Sequence, residues 1–247
     1  MKIHSRIFTL FFIMNDNIFS RTESLVTQAQ FNRIRTSHVV LCGCGGVGSY
    51  ALEALVRAGI GKITVIDNDT VSVSNINRQI IALGSTVGQA KTSVAKLRAK
   101  DINPDVIFID KQVFLTPENI DAVIPDDADY IVDAIDFVPA KVALAVFAQN
   151  HNIPMLACLG TGNRLDATKF RIADIYSTSG CPLARKMRYE LKKAGVKALE
   201  VIYSDAKTIT PNTEFCDGKR TVGSISFVPS VAGLLCAGHV ITKIMEK

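Results

Sequence analysis

The chain has no pair of cysteines spaced C-x-x-C, no low-complexity tract and no internal repeat. It also lacks an uninterrupted apolar run long enough to be read with ease as a membrane span. Each absence closes a class. Without paired cysteines a zinc knuckle is unsupported. The six cysteines, Cys42, Cys44, Cys158, Cys181, Cys216 and Cys236, instead suit a reducing cytoplasm. Cys42 and Cys44 are expected to pack as small residues. Hydrophobic content of 48% in 247 residues excludes a disordered chain and supplies a sizeable core. Positive charge is in modest excess, +5 with a pI of about 8.9. That permits a nucleic-acid substrate without requiring one. Ile225–Ile241 is apolar, but it is about 17 residues long and contains Pro229 and His239. It reads as a buried closing helix rather than a span.

The N-terminus is similarly deficient as a secretion signal. Ile7–Ile13 follows Lys2, His4 and Arg6, but its apolar core is about seven residues and no small-residue cleavage site follows. Met14 is therefore read as the start. Residues 1–13 are read as an extension or a mobile tail, and residues 14–247 as a single domain.

What the chain does contain is a succession of βα units. Strands are expected at His38–Leu41, Lys62–Ile66, Val106–Asp110, Tyr130–Asp133 and Ile153–Cys158. Helices are expected at Phe19–Arg35, Gly48–Ala58, Gly88–Lys100, from Thr116 with Pro117 at its first position, and at Pro139–Asn150. This order implies a mostly parallel sheet flanked by helices, an α/β fold of Rossmann-like type. Beyond Gly160 the pattern changes. Strands Lys169–Asp174 and Ala198–Ser204 surround a basic helix, Pro182–Ala194, and a helix Ser230–Met245 closes the chain. The first half, about 36–160, is expected to bind nucleotide. The second, about 161–247, is expected to be antiparallel and to bind substrate.

The chemistry lies at the strand ends. Gly43-Cys44-Gly45-Gly46-Val47-Gly48 joins the first strand to a helix N-terminus, the arrangement that cradles phosphate. Glycines let backbone amides approach a polyphosphate closely. Asp67 ends the next strand about 20 residues on, where a carboxylate can bind ribose. So far a nicotinamide dehydrogenase would do equally well. Asn75-Ile76-Asn77-Arg78-Gln79 and Lys91 change that, because they crowd polar and positive groups beside the phosphates. Charge on departing pyrophosphate needs such groups and hydride transfer does not.

The set Gly43–Gly48, Asp67, Asp69, Asn75–Gln79, Lys91 and Asp136 resembles the E1-like adenylating family, from about Phe19 to the C-terminus. The resemblance implies ATP and Mg²⁺ as cofactors. Gly43, Gly45, Gly46 and Gly48 would hold the nucleotide and Asp67 the ribose. Asn75, Arg78 and Gln79 would face the phosphates. Lys91 would neutralise them, Asp136 would bind Mg²⁺, and Asp69 would orient its loop. Arg21 matches an arginine that relatives insert into a partner subunit's ATP site, which implies a homodimer. Relatives with paired zinc cysteines exist; this chain departs from them, so no zinc is expected.

Within the family, Gly160–Thr168, Asp174-Ile175, Cys181–Arg185 with Arg188 and Leu191, and Gly223–Pro229 look like the tRNA threonylcarbamoyladenosine dehydratase group. That branch implies a tRNA carrying threonylcarbamoyladenosine as substrate and cyclisation through an acyl-adenylate. Arg185, Lys186, Arg188, Lys192, Lys193 and Lys197, with Lys219 and Arg220, could meet its phosphates. Two alternatives stay open: adenylation of the C-terminus of a sulfur-carrier or ubiquitin-like protein, with a sulfur-transfer protein as partner, and a redox Rossmann protein. Neither Cys181 nor Cys216 has a sequence signature of an activated nucleophile.

Overall fold

The computed structural model of the protein describes residues 17–210 and 222–247. The expectations placed on residues 1–13, Cys216, Lys219 and Arg220 lie outside these. Seven strands, β1 (His38–Cys42), β2 (Lys62–Ile66), β3 (Ile107–Lys111), β4 (Tyr130–Asp133), β5 (Met155–Cys158), β6 (Phe170–Asp174) and β7 (Glu200–Ser204), form one sheet. Their order is β3-β2-β1-β4-β5-β7-β6. All pairings are parallel except β6 on β7. The antiparallel part of the second half is thus this one pair, and β7 itself extends the parallel sheet by joining β5.

The sheet is covered on both faces, which explains why its strands read as unbroken apolar runs. Val39 and Leu41 of β1 point into one core cluster, Val40 and Cys42 into the other. The first face carries α2 (Gln28–Thr36), α3 (Gly48–Ala58), α4 (Lys91–Ile102) and α8 (Phe227–Glu246). The second carries α5 (Ile120–Val123), α6 (Val138–His151) and α7 (Pro182–Lys193).

Three expected helix limits in the first half of the chain are corrected. The single helix over Phe19–Arg35 is two, α1 (Ser20–Glu23) and α2. Ser24 turns its hydroxyl back onto the Arg21 carbonyl, and Thr27 starts a fresh helix through a capping box with Gln30. The helix expected from Gly88 starts at Lys91. Gly88 has φ +87°, and Gly88 and Gln89 exchange backbone hydrogen bonds with Val71 instead of entering a helix. Pro117 does not begin a helix. Asn119 accepts from the Thr116 amide and donates to the Phe114 carbonyl, so the turn closes on a side chain and α5 begins at Ile120.

Helix α8 starts at Phe227 rather than Ser230, with Pro229 in its first turn, where amides need no helical partner. By length and hydropathy α8 could cross a membrane. Here Val228, Ala232, Cys236, Val240 and Ile244 are buried in the core. It touches α3 backbone to backbone: a Cβ on Gly233 would come within 2.3 Å of the Val47 carbonyl oxygen. Gly233→Ala should therefore cost about 1–3 kcal/mol through overpacking. Gly238→Ala, with nothing within 4 Å of its added carbon, should be neutral or gain up to about 1 kcal/mol of helix propensity. Urea unfolding of both variants checks this. Equal responses would mean that the close approach is not held in solution.

Candidate functional site

The chain reverses direction across the sheet between β1 and β4, and ligands of such sheets bind outside the carboxyl ends of strands at that switch. A cavity of about 490 Å³ lies there, within the range of small-molecule sites. It gathers Gly43, Gly45, Gly46, Asp67, Asp69, Asn75, Arg78, Gln79, Lys91 and Asp136 on one wall or another. Two expected residues stand outside it. Gly48 does not line it; a Cβ there would lie 1.9 Å from the Gly43 carbonyl oxygen, so glycine serves to close the turn. Arg21 is exposed on α1 and does not line the cavity of its own chain.

The phosphate turn is held from behind. Gly43 has φ +90°, and a Cβ on it would sit 2.7 Å from the Ala134 carbonyl oxygen. Its amide donates to the Ile66 carbonyl at 2.8 Å. Asp67 fastens the turn to β2. One carboxylate oxygen accepts from the Cys44 amide at 2.7 Å, the other from the Asp69 amide at 2.9 Å. Further lone pairs are left for a ribose hydroxyl. Lys91, at the start of α4, extends into the cavity with its ammonium 2.7 Å from Asp69 and 3.9 Å from Asp67. Its side chain is 6% exposed, so these carboxylates compensate a charge that burial would otherwise make costly.

Arg78 anchors one guanidinium nitrogen on the Ser74 carbonyl and the Asn77 side-chain oxygen. Asn77 donates to the Ser224 carbonyl at 3.0 Å, which ties this loop to the segment entering α8. Asn75 accepts the Ser72 amide with its own side chain. Gln79 is buried, and its side-chain oxygen has no hydrogen-bond partner. Asp136 is exposed at the exit of β4.

Residues not anticipated complete the cavity. Val113, Phe114, Leu115, Ile135 and Phe137 make an apolar wall. The Phe114 and Phe137 rings lie 5.3 Å apart, and both are substantially exposed. Their positions directly after β3 and after Asp136 are the only sequence signal they carry. Gly160, Thr161 and Gly162 after β5, Leu183 of α7 and Pro229 of α8 close the other side. The second half of the chain therefore forms part of the same cavity. Among the described residues no three His, Cys, Asp or Glu side chains come together as a metal cluster.

A Rossmann-like sheet with a glycine phosphate turn, a strand-end carboxylate and two cations at its switch point defines a nucleotide-binding α/β protein. The chain belongs to the ThiF family, whose model matches residues 19–247. It is 37% identical over 240 residues to the tRNA threonylcarbamoyladenosine dehydratase of Bacillus subtilis, covering 92% of this chain and 94% of that one. The crystal structure of the Escherichia coli tRNA N6-threonylcarbamoyladenosine dehydratase in complex with AMP superposes with a TM-score of 0.85 at 33% identity, covering 92% and 93% of the two chains. The complex of that enzyme with ATP gives 0.82. An adenylyltransferase and sulfurtransferase of Lodderomyces elongisporus is 44% identical over 104 residues, 42% of this chain and 23% of its own.

The five described cysteines are all buried. Burial pushes the Cys42, Cys44 and Cys236 thiols well up, and Cys158 to about 12. A raised thiol pKa leaves little thiolate at neutral pH, and thiolate is the reactive form. Iodoacetamide at pH 8 should leave all five unmodified in the native protein and modify them once it is denatured, as read by peptide mass spectrometry. Native labelling of Cys181 at the denatured rate would mark it as an accessible, reactive thiol.

Proposed function

We propose that this protein is an ATP-dependent tRNA threonylcarbamoyladenosine dehydratase acting in the cytoplasm. The observation that carries the reading is the extent of the similarity to such enzymes: it spans both halves of the chain, and both halves line the one cavity. The matches to adenylyltransferase and sulfurtransferase proteins cover 42% to 57% of the chain and 23% to 31% of theirs, which disfavours the carrier-protein reading. Hydride transfer in a redox Rossmann protein does not need as much positive charge beside the phosphates as Lys91 and Arg78 bring.

The site residues divide the work. The Gly45 and Gly46 backbone takes the phosphates, Asp67 the ribose, and the wall of Val113, Phe114, Leu115, Ile135 and Phe137 the adenine. Arg78, Asn75 and Gln79 face the polyphosphate. Lys91 exchanges Asp69 for phosphate oxygen when nucleotide enters. Asp136 would hold Mg²⁺, an ion that commonly takes one or two carboxylates plus substrate phosphates; an exposed lone carboxylate at the cavity fits that habit. Mg²⁺ would supply neutralisation of phosphate charge.

A threonyl carboxylate oxygen attacks the α-phosphorus. The new O–P bond forms as the α–β bridging bond breaks, and pyrophosphate leaves with the electron pair. A heteroatom of the neighbouring carbamoyl group then attacks the activated acyl carbon. AMP departs with the former carboxylate oxygen and the carbamoyl group loses a proton, so the nucleoside has lost the elements of water. The protein's part is placement and charge compensation.

The basic face of α7 is the surface for the RNA backbone. Arg185, Lys186, Lys192 and Lys193 are exposed there, beside exposed Tyr189, and Lys197 is exposed in the segment that follows the helix. Arg188 does not belong to it, since its guanidinium turns inward onto Thr178. Leu183, on the first turn of the same helix, lines the cavity, so the basic face starts at the site's edge.

Purified protein with ATP, Mg²⁺ and threonylcarbamoylated tRNA should give the cyclic nucleoside, AMP and pyrophosphate, read by nucleoside mass spectrometry. Unchanged tRNA together with adenylation of a carrier-protein C-terminus would reverse the assignment. Arg78→Ala and Asp136→Asn should each lower turnover about 10²-fold or more while unfolding at near wild-type temperature.

Arg21 acts on a second copy's phosphates in a homodimer. Arg21→Ala should then be weak, and co-refolding it with Arg78→Ala should recover activity, because one site of each mixed dimer holds both arginines. Mixed dimers without recovery would assign Arg21 to its own chain or to the fold alone.

A further inference from the structure

Directly beneath the cavity lies an ion pair that the proposed chemistry does not use. Asp133, the last residue of β4, and Lys141, on the second turn of α6, are both fully buried, with their charged atoms 2.8 Å apart. Burial pushes the Asp133 carboxyl up, and the Lys141 ammonium pulls it partly back. Such a pair is a poor source of stability, since apolar residues of the same volume commonly do as well or better.

Its hydrogen bonds indicate a different role. The Lys141 ammonium donates to the Ile135 carbonyl at 3.2 Å and to the Cys158 carbonyl at 2.9 Å. Ile135 precedes Asp136. Cys158 ends β5 and leads into Gly160–Gly162 on the opposite cavity wall. The other Asp133 carboxylate oxygen accepts the Ile135 amide at 3.2 Å. The peptide units around Ile135 are thus gripped from both sides. Ala134 in turn is the residue whose carbonyl backs Gly43 of the phosphate turn, and its amide donates to the Cys42 carbonyl at 2.8 Å. One ammonium therefore links the loop bearing Asp136, the exit of β5 and the wall behind the phosphate turn.

We propose that Lys141, seated by Asp133, is a positioning residue that sets the Asp136 carboxylate for catalysis through the Ile135 backbone. The proposal rests on the functional reading above. If Lys141 acts through Asp136, removing it costs nothing further once Asp136 is disabled.

The test is a cycle in the full chain of Lys141→Met, which keeps length and loses charge, and Asp136→Asn. Lys141→Met alone should lower kcat about tenfold or more while AMP affinity by calorimetry stays within about twofold. In the Asp136→Asn background the same change should cost less than about twofold. Equal losses in both backgrounds, or near-normal kcat in folded Lys141→Met, would overturn the proposal. Should Lys141→Met not fold, Asp133→Asn/Lys141→Met removes the orphaned charge and carries the same cycle; if neither folds, the pair is structural and the proposal falls. A wild-type chain that leaves modified tRNA unchanged would instead count against the functional reading. The cycle is then read in the gain of ATP affinity on adding Mg²⁺, which Lys141→Met should abolish only where Asp136 is present.

Discussion

The phosphate turn stands against the exit of β4 with no room for one more carbon atom. A Cβ on Gly43 would collide with the Ala134 carbonyl, and one on Gly48 with Gly43 itself. β1 and β4 are paired neighbours, but the chain leaves them toward opposite faces of the sheet, to α3 and to α6, and the cavity lies in the crevice between these connections. Asp67 reaches it because β2 flanks β1, and Asp136 because it follows β4. α8 closes the turn from above, with Gly233 against α3 and Pro229 against Gly46. A displacement of these segments would move the glycine turn, because Gly43, Gly48 and Gly233 pack against backbone atoms, which have few alternative conformations.

Charge inside the protein follows the same economy. Lys91 is buried on the cavity wall, and Asp69 and Asp67 compensate its ammonium. On the proposed reading a phosphate oxygen would take the place of one carboxylate, so the ammonium would stay compensated. Gln79 is buried on the same wall, its side-chain oxygen without a protein donor. The Asp133–Lys141 pair is compensated in the same way, fully buried and with its ammonium bonded to the carbonyls of Ile135 and Cys158.

The two halves differ in how readable they were. Regular βα alternation, the glycine turn, Asp67 and the polar run through Gln79 are local patterns, and the structure brings all but Gly48 and Arg21 of the expected set to one cavity. Helix limits were less legible where a side chain replaced a backbone partner, as with Ser24 and Asn119. Gly88–Gln89 was misread as helix because its hydrogen bonds go to Val71, a residue outside any local window. Arg188 looked like a member of a basic stripe because a helical period cannot reveal that Thr178 lies beneath it.

The sequence by itself determined the class of sheet, the place of the phosphate turn and the identity of the residues around it. These follow from periodicity and from residues adjacent in the chain, and both are written linearly. Only the tertiary structure decided that Phe114 and Phe137 meet across the cavity, that Gly233 must lack a side chain, and that Lys141 is buried against Asp133 and Cys158. The members of each of these groups are separated in the chain by a strand or helix turn at the least. Their proximity depends on which strands pair and which face each helix covers. Lys141 shows the limit most plainly: within the helix it is an ordinary lysine, and it becomes a buried cation only when α6 is laid on β4 and β5.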